Sequence, residues 1–441
     1  MATIPPPSRR RRARTSWTHL PARAAAATAE AKIKQRVRVV WSLLFFDVLG
    51  SGVSPVLHLP HRVAQVATQG ALGIALLLAL TLNPRLRIRP NVYLTIFTAL
   101  GVTSLMSSVR FISVGTDYRA VRILLFIGVM WLLTPWWGRR DLLLMKAQVL
   151  FLIGIVASII LGIGVAPQSA IGGGRLVGVV WPIASTQVAH YAAELSGLAF
   201  VLWACHLMKR YLALTIGLAS FIVLILAHTR TALAAEVVGI AVALASLFTV
   251  SRRVRRAFTA GVLIVAIVGL PLAPLAVSWL GRGQSAGQLA SLTGRTQFWS
   301  YVFAEHRNLT ETLIGNGISN GSINPPAADQ GFSAGGGLPI DSSWVLDYQD
   351  QGIIGDILVG LLFLVLLVGA AVAPPGPRRA LALFLVVYCL IASFTEDGAG
   401  IASQYTMDMT LAASMLASPV LAGRGGSRTL RPRVVWPASA R

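Results

Sequence analysis

Mostly apolar stretches, each close to the ~20 residues a membrane-crossing helix needs, recur along the chain and limit its fold more than any other feature. They fall at 40–57, 63–82, 92–109, 120–137, 148–166, 187–208, 211–227, 231–250, 257–280, 353–373, 379–395 and 399–421. In hydrocarbon every backbone N–H and C=O must find its partner within the protein, which leaves helices and closed barrels as the spanning structures. Runs of this length predict helices. The expected fold is therefore an all-α polytopic membrane protein of about twelve helices. Only 12% of its residues are charged and 55% are hydrophobic, against about 25% charged in soluble domains, and this excludes a water-soluble enzyme. The net charge of +22 would ordinarily raise the question of nucleic acid. Here the basic residues sit in short clusters between apolar runs, so their role is topological and no nucleic-acid partner is expected.

With the N-terminus inside, 29 of the 38 Lys and Arg residues fall on the cytoplasmic side and eight outside, as the positive-inside rule requires. Trp41, Trp136, Trp137 and Trp279 lie at expected span ends, where amphipathic rings favour the interface. The organisation expected is a disordered basic cytoplasmic tail over 1–39, helices one to nine within 40–280, and an extracytoplasmic loop over 281–352. Three more helices follow within 353–421, and a cytoplasmic tail over 422–441. The location that follows is the cytoplasmic membrane, with both termini cytoplasmic and membrane lipid as a partner. Cys205 and Cys389 both lie in apolar runs, so neither a disulfide framework nor a cysteine-rich metal site is expected.

The large outer loop is rich in glycine turns (GRGQSAGQ, GNGISNGS, GFSAGGGLP) and carries two pieces that read as short helices on the outer surface, around TGRTQFWSYVFAEHRN and WVLDYQDQGIIG. Arginines outside run against the topological bias. Arg175 follows a triple glycine, Arg230 opens a span in HTRTALA, and Arg295 lies in TGRTQFW. A guanidinium offers five donors in a fork that matches phosphate oxygens, so several of them converging would bind a lipid-linked phosphate; each could instead snorkel or pair with an outer carboxylate. Arg230 and Arg295 are expected to approach each other. Intramembrane ionisable residues are candidates by default: Asp47, Glu194, Glu236, Asp356 and Asp408. His190 and Glu194 are four apart and share a helix face, which also fits a simple helix pair.

Four pieces of the chain resemble the O-antigen ligase and polysaccharide polymerase superfamily, integral membrane glycosyltransferases. They are RLVGVVWP, HTRTALA, TGRTQFW followed by LIGNGISN, and DSSWVLDYQDQGIIG, in the family's order. Where the family shows a His-Asn pair, this chain has Asp341-Ser342; Trp344 falls on the aromatic position and Asp350 on the acidic one. The resemblance implies transfer of a polyprenyl-pyrophosphate-linked glycan to a hydroxyl of a glycan or glycolipid acceptor, outside the cytoplasm, with no metal and no cofactor. Together with the outer arginines it points to catalytic roles for Asp341, Arg230 and Arg295 and to substrate binding by Arg175 and Asp350; Glu194 and His190, ionisable residues of the sixth span, are further substrate-binding candidates. Asp341 is expected to stay ionised beside the arginines, or else to cap the helix starting near Ser343. The alternative is a multi-span transporter or flippase of a lipid-linked or anionic substrate. Transporters place their sites near the midplane of repeated halves, whereas here the charge lies at the outer edge and no internal repeat is visible.

Overall fold

The computed structural model describes residues 20–49, 54, 56–58, 60–110, 114–171, 174–248, 251–252, 254–256, 259, 295–319, 322–323 and 338–417. The helices are α1 Leu20–Asp47, α2 His61–Leu82, α3 Val92–Val109, α4 Val114–Leu133, α5 Asp141–Val165, the single turn α6 Pro167–Ala170, α7 Ser185–Ala204, α8 Arg210–Ala227, α9 Arg230–Leu247, α10 Arg295–Ala304, α11 Leu309–Ile314, α12 Ser343–Val372, α13 Pro377–Ala392 and α14 Gln404–Leu416. Two short strands, β1 Ser322–Ile323 and β2 Leu338–Pro339, pair antiparallel with Ser322 opposite Pro339.

The protein is a mostly α-helical, multi-span membrane protein. Among the described residues seven helices are long and apolar enough to cross: Arg62–Leu82, Val92–Val109, Asp117–Trp136, Asp141–Val165, Arg210–Ala227, Arg230–Leu247 and Ser343–Val372. Their outward faces carry large apolar side chains in the open, such as Val66, Leu77, Leu214, Ile357 and Val372. In water such patches would drive association; against lipid chains they are solvated.

Of the remaining runs, those the structure describes depart from a plain crossing helix. The run 257–280 lies outside the described residues. The run 40–57 is helical only to Asp47, at the end of α1. Residues 20–39, expected to be disordered, belong to that same helix. Alanines are the best helix formers and dominate residues 22–31, and a Glu30–Lys34 ion pair of 2.9 Å adds i,i+4 support. The run 399–421 yields only the 13 residues of α14, which at 1.5 Å per residue is about 20 Å, short of the ~30 Å core. Polar side chains explain where α14 sits: nearly all of it is buried, packed on α3, α5, α12 and α13. The enclosed helix α7 is likewise surrounded, by α5, α8, α9 and α13.

A break in α12 positions the site. Gly352 has φ +67 and ψ −165, which separates a polar first half from the apolar crossing half. A Cβ there would lie 2.5 Å from the Leu313 carbonyl and 2.6 Å from the Gly315 nitrogen, so glycine is required both for conformation and for space. The α11 end is docked on that break by Asn316 N–H to the Gln349 carbonyl (2.9 Å) and Gly317 N–H to the Asp350 carbonyl (3.0 Å). Ser107 of α3 completes the joint, donating to the Asp350 carbonyl at 2.7 Å and accepting from Gly317 N–H at 2.6 Å.

Candidate functional site

Segments far apart in sequence meet at one end of the helix bundle. Arg295, the first residue of α10, pairs with Asp341 at 3.2 Å and reaches Glu396 at 3.8 Å. Glu396 belongs to the FTEDGAG turn between α13 and α14. Ser343, wholly buried at the start of α12, holds that turn: its N–H and hydroxyl both donate to the Glu396 carbonyl, at 2.9 and 2.8 Å, and its hydroxyl accepts from Ala399 N–H at 3.1 Å. Asp341 and Glu396 thereby meet at the same terminal nitrogen of Arg295.

Asp341 does not cap α12. The cap is Ser342, with no side-chain capping bond, and Asp341 instead faces Arg295. Arg295 favours its ionised form, but burial works the other way. Burial raises its carboxyl above the ordinary carboxylate value, ahead of the opposing pull of Arg295; Glu396 adds to the rise, and Arg175 is a lesser counterweight. Asp397, next in the turn, is pushed up to about 6 by burial first and then by Glu396 and Asp341.

Arg175 sits in the same electrostatic company. Burial lowers its affinity for its proton, and Glu396, Arg295 and Asp341 are the charges it feels. Its guanidinium donates to the Ala227 carbonyl at 3.3 Å and to the Thr229 hydroxyl at 3.1 Å, tying the triple-glycine loop to the α8–α9 corner. Arg230 follows Thr229 directly and opens α9. The corner is made by His228 in the left-handed region (φ 52, ψ 43), which ends α8.

His190 reaches this site from α7. Its ring is 2% exposed; Nδ1 bonds the Tyr388 hydroxyl at 2.6 Å, and Nε2 lies 3.8 Å from Glu396 Oε1. Tyr388 also donates to the His190 carbonyl at 3.2 Å, and Tyr388 and Tyr405 both stand edge-on to the imidazole. Because the Tyr388 hydroxyl gives its proton to the His190 carbonyl, Nδ1 is the donor to Tyr388, and Nε2 is the ring nitrogen turned toward Glu396.

Glu194, expected beside His190, is one turn deeper and has other partners. Gln148 donates to Glu194 at 2.6 Å and also to Asp408, Gln404 donates to the other Glu194 oxygen, and Trp41 donates to Gln148 at 3.4 Å. This fully enclosed cluster draws on α1, α5, α7 and α14. Asp350 lies apart from Arg295, in the wall of a cavity beside α4. Arg307 proves structural: it pairs with Glu305 at 2.9 Å, donates to the Tyr348 carbonyl at 3.1 Å and stacks over the Tyr348 ring. Among the described residues no group of three or more His, Cys, Asp or Glu side chains is arranged to hold a metal ion.

The sequence points to Arg175, Arg295, Asp341 and His190 as site residues; Glu396 and Asp397 figure in it only among the outer carboxylates able to pair with an arginine, and Ser343 and Tyr388 have no site role there. The Glu-Asp pair flanked by glycine between two apolar runs was the signal available for Glu396 and Asp397. No protein-family model matches the chain, and no curated protein is significantly similar to it.

Proposed function

We propose that the protein is a membrane glycosyltransferase that moves a glycan from a polyprenyl pyrophosphate to an acceptor hydroxyl at the outer face of the cytoplasmic membrane. The reading includes twelve spans, with the loop after the ninth and both termini inside. One observation carries it: Arg175, Arg295 and Asp341, drawn from three of the four segments that resemble the ligase and polymerase superfamily, share one electrostatic cluster. The fourth segment supplies Thr229, which holds Arg175, and Arg230 beside it.

The chemistry follows from the charges. As the glycosidic C–O bond breaks, negative charge gathers on the departing pyrophosphate, and preorganised guanidinium groups stabilise it. Arg175, Arg230 and Arg295 take that role, with no metal or cofactor in the mechanism. The acceptor hydroxyl is oriented by Asp341 and Glu396. His190 Nε2, 3.8 Å from Glu396 Oε1, is close enough to receive the proton of a hydroxyl held beside Glu396. In this chain that histidine comes from α7, while the family's His-Asn position is Asp341-Ser342.

The test is transfer by purified protein in vesicles carrying a polyprenyl-pyrophosphate glycan. Arg295→Lys keeps charge but loses the fork, and its rate is expected to fall by about 10²–10³, as on removal of one transition-state donor. Wild-type rates in a well-folded Arg295→Lys variant would remove Arg295 from the site. Glycan from cells lacking the gene identifies the acceptor: loss of polymer with single units retained marks a polymerase, and accumulated lipid-linked polymer marks a ligase.

A transporter or flippase is the second reading, favoured by the enclosed Gln148–Glu194–Asp408–Gln404 cluster, since intramembrane carboxylates commonly mark ion pathways. Substrate crossing the vesicle membrane without covalent product would select it.

A further inference from the structure

A cavity of about 220 Å³ opens between α4, the segment after α11 and the turn after α13; its lining includes Arg119, Arg122, Ser319, Asp350, Asp397 and Ala402. This is many times the ~10–15 Å³ a single water needs. Asp350 is 1% exposed; Ser319 hydrogen-bonds its carboxyl, and the Oδ1 oxygen has no partner. Its backbone carbonyl is held by the Ser107 hydroxyl and by Gly317 N–H. Burying an acceptor such as Oδ1 unsatisfied costs roughly 1–3 kcal/mol, a penalty that a donor within the cavity would remove.

The charges of the lining narrow the occupant. Arg122 is already bound to Asp47, by Nε at 3.1 Å to the carboxylate and by its terminal nitrogen at 2.6 Å to the carbonyl. Arg119 donates to the Ile318 carbonyl at 3.2 Å. Two arginines and two aspartates therefore line one cavity, together with Ser319, which hydrogen-bonds Asp350. A phosphate would meet Asp350 and Asp397, and a metal cation would meet Arg119 and Arg122. A ring of hydroxyls, each able to donate and accept, is suited by both kinds of group at once.

We infer that this cavity binds the ring of a neutral sugar, with Asp350 Oδ1 and Asp397 accepting from its hydroxyls. Asp397 also stands beside Glu396 and Asp341, so a ring held here presents a further hydroxyl toward the arginine cluster. That this sugar belongs to the acceptor rests on the transfer reading; the ligand chemistry of the cavity rests on its own lining.

The experiment uses the full-length protein in detergent with Cys205→Ser and Ala402→Cys, the new thiol being titrated with a small methanethiosulfonate reagent. Glucose, galactose, mannose and N-acetylglucosamine are the probes, with glycerol at equal osmolality as control. At least one sugar is expected to slow labelling about fivefold at some four times its Kd, since labelling falls by the factor 1 + [L]/Kd. Asp350→Asn, or Asp397→Asn should the first not fold, is expected to lift that protection. Ser319→Cys serves as a second reporter if Ala402→Cys is not produced. The inference is overturned if no sugar protects beyond glycerol, if the thiol never reacts, or if inorganic pyrophosphate protects instead. Labelling is read without turnover. Transfer with no sugar protection therefore sinks the cavity alone, and protection with no transfer sinks the enzyme reading alone.

Discussion

Asp341 and Glu396 converge on Arg295 with Asp397 beside them, and the protonation of these carboxyls sets the pH range in which the site can accept hydrogen bonds. Asp397 keeps its proton up to about pH 6 in the folded chain, against about 3.9 for a free Asp. As pH drops through about 6 it loses its charge, so transfer is expected to decline on that acid limb. Asp397→Asn should flatten the limb and lower the plateau; a pH–rate profile from 5 to 8 checks both, and an unchanged limb would move the titration to another group. The stability effect of this residue has the opposite sign. A raised carboxyl binds its proton more readily in the native than in the unfolded chain, so its contribution weakens as pH rises from about 4 to 6, and acid inactivation at this group is not unfolding. Arg295 was legible in the sequence because an arginine outside the membrane defies the topological bias, and Asp341 because it occupies the slot where the resembled family has His-Asn. Glu396 was not, because what brings it to Arg295 is the Ser343 hydroxyl, 53 residues away, and no local pattern encodes such a bond.

The polar half of α12 is held by a joint of three elements: α3 through Ser107, the α11 end through Gly315 and Gly317, and the break at Gly352. Ser107 is wholly buried and serves two backbone groups. Ser107→Ala is therefore expected to cost about 2 kcal/mol, within the usual range for leaving buried partners unsatisfied. Gly352→Ala is expected to be more damaging, because a methyl at φ +67 meets the Leu313 backbone 2.5 Å away. Thermal unfolding followed by size-exclusion of a fluorescent fusion ranks the two; equal melting of Gly352→Ala and wild type would mean the joint is not rigid. The break was legible, since the apolar run starts at Ile353 and glycine precedes it. The length of α14 was not: GAGIAS reads as apolar by composition, yet Gly398 at φ +128 and the Ser403 capping box with Thr406 make it a turn and a delayed helix start. The α1 extension was hidden for the converse reason, because polar and charged residues mask its alanine-driven helicity.

Across the whole molecule, connecting segments contact one another in two separate sets, and the sets match the sides to which charge assigns them. At one end Arg378 pairs with Asp141 at 2.7 Å, Arg140 with Glu30 at 3.5 Å, and Gly138 N–H bonds the Ser414 carbonyl at 3.1 Å. At the other end Arg295 meets Asp341 and Glu396, and Ser54 donates to the Val179 and Val180 carbonyls at 2.9 and 2.8 Å. Contacts fix which segments share an end but are silent on which end is cytoplasmic; that choice rests on the 29 basic residues against eight. The transfer reading needs the Arg295 end outside, where the lipid-linked glycan is presented. Leu309, at the start of α11, and Arg87, in the turn between α2 and α3, are both exposed and belong to opposite ends. In intact cells a membrane-impermeant maleimide is expected to label Leu309→Cys and to spare Arg87→Cys until the membrane is opened, both in a Cys205→Ser background, with buried Cys389 retained. The reverse pattern would put the arginines in the cytoplasm, where nucleotide-linked donors replace polyprenyl-linked ones, and the proposed reaction would fall with the topology.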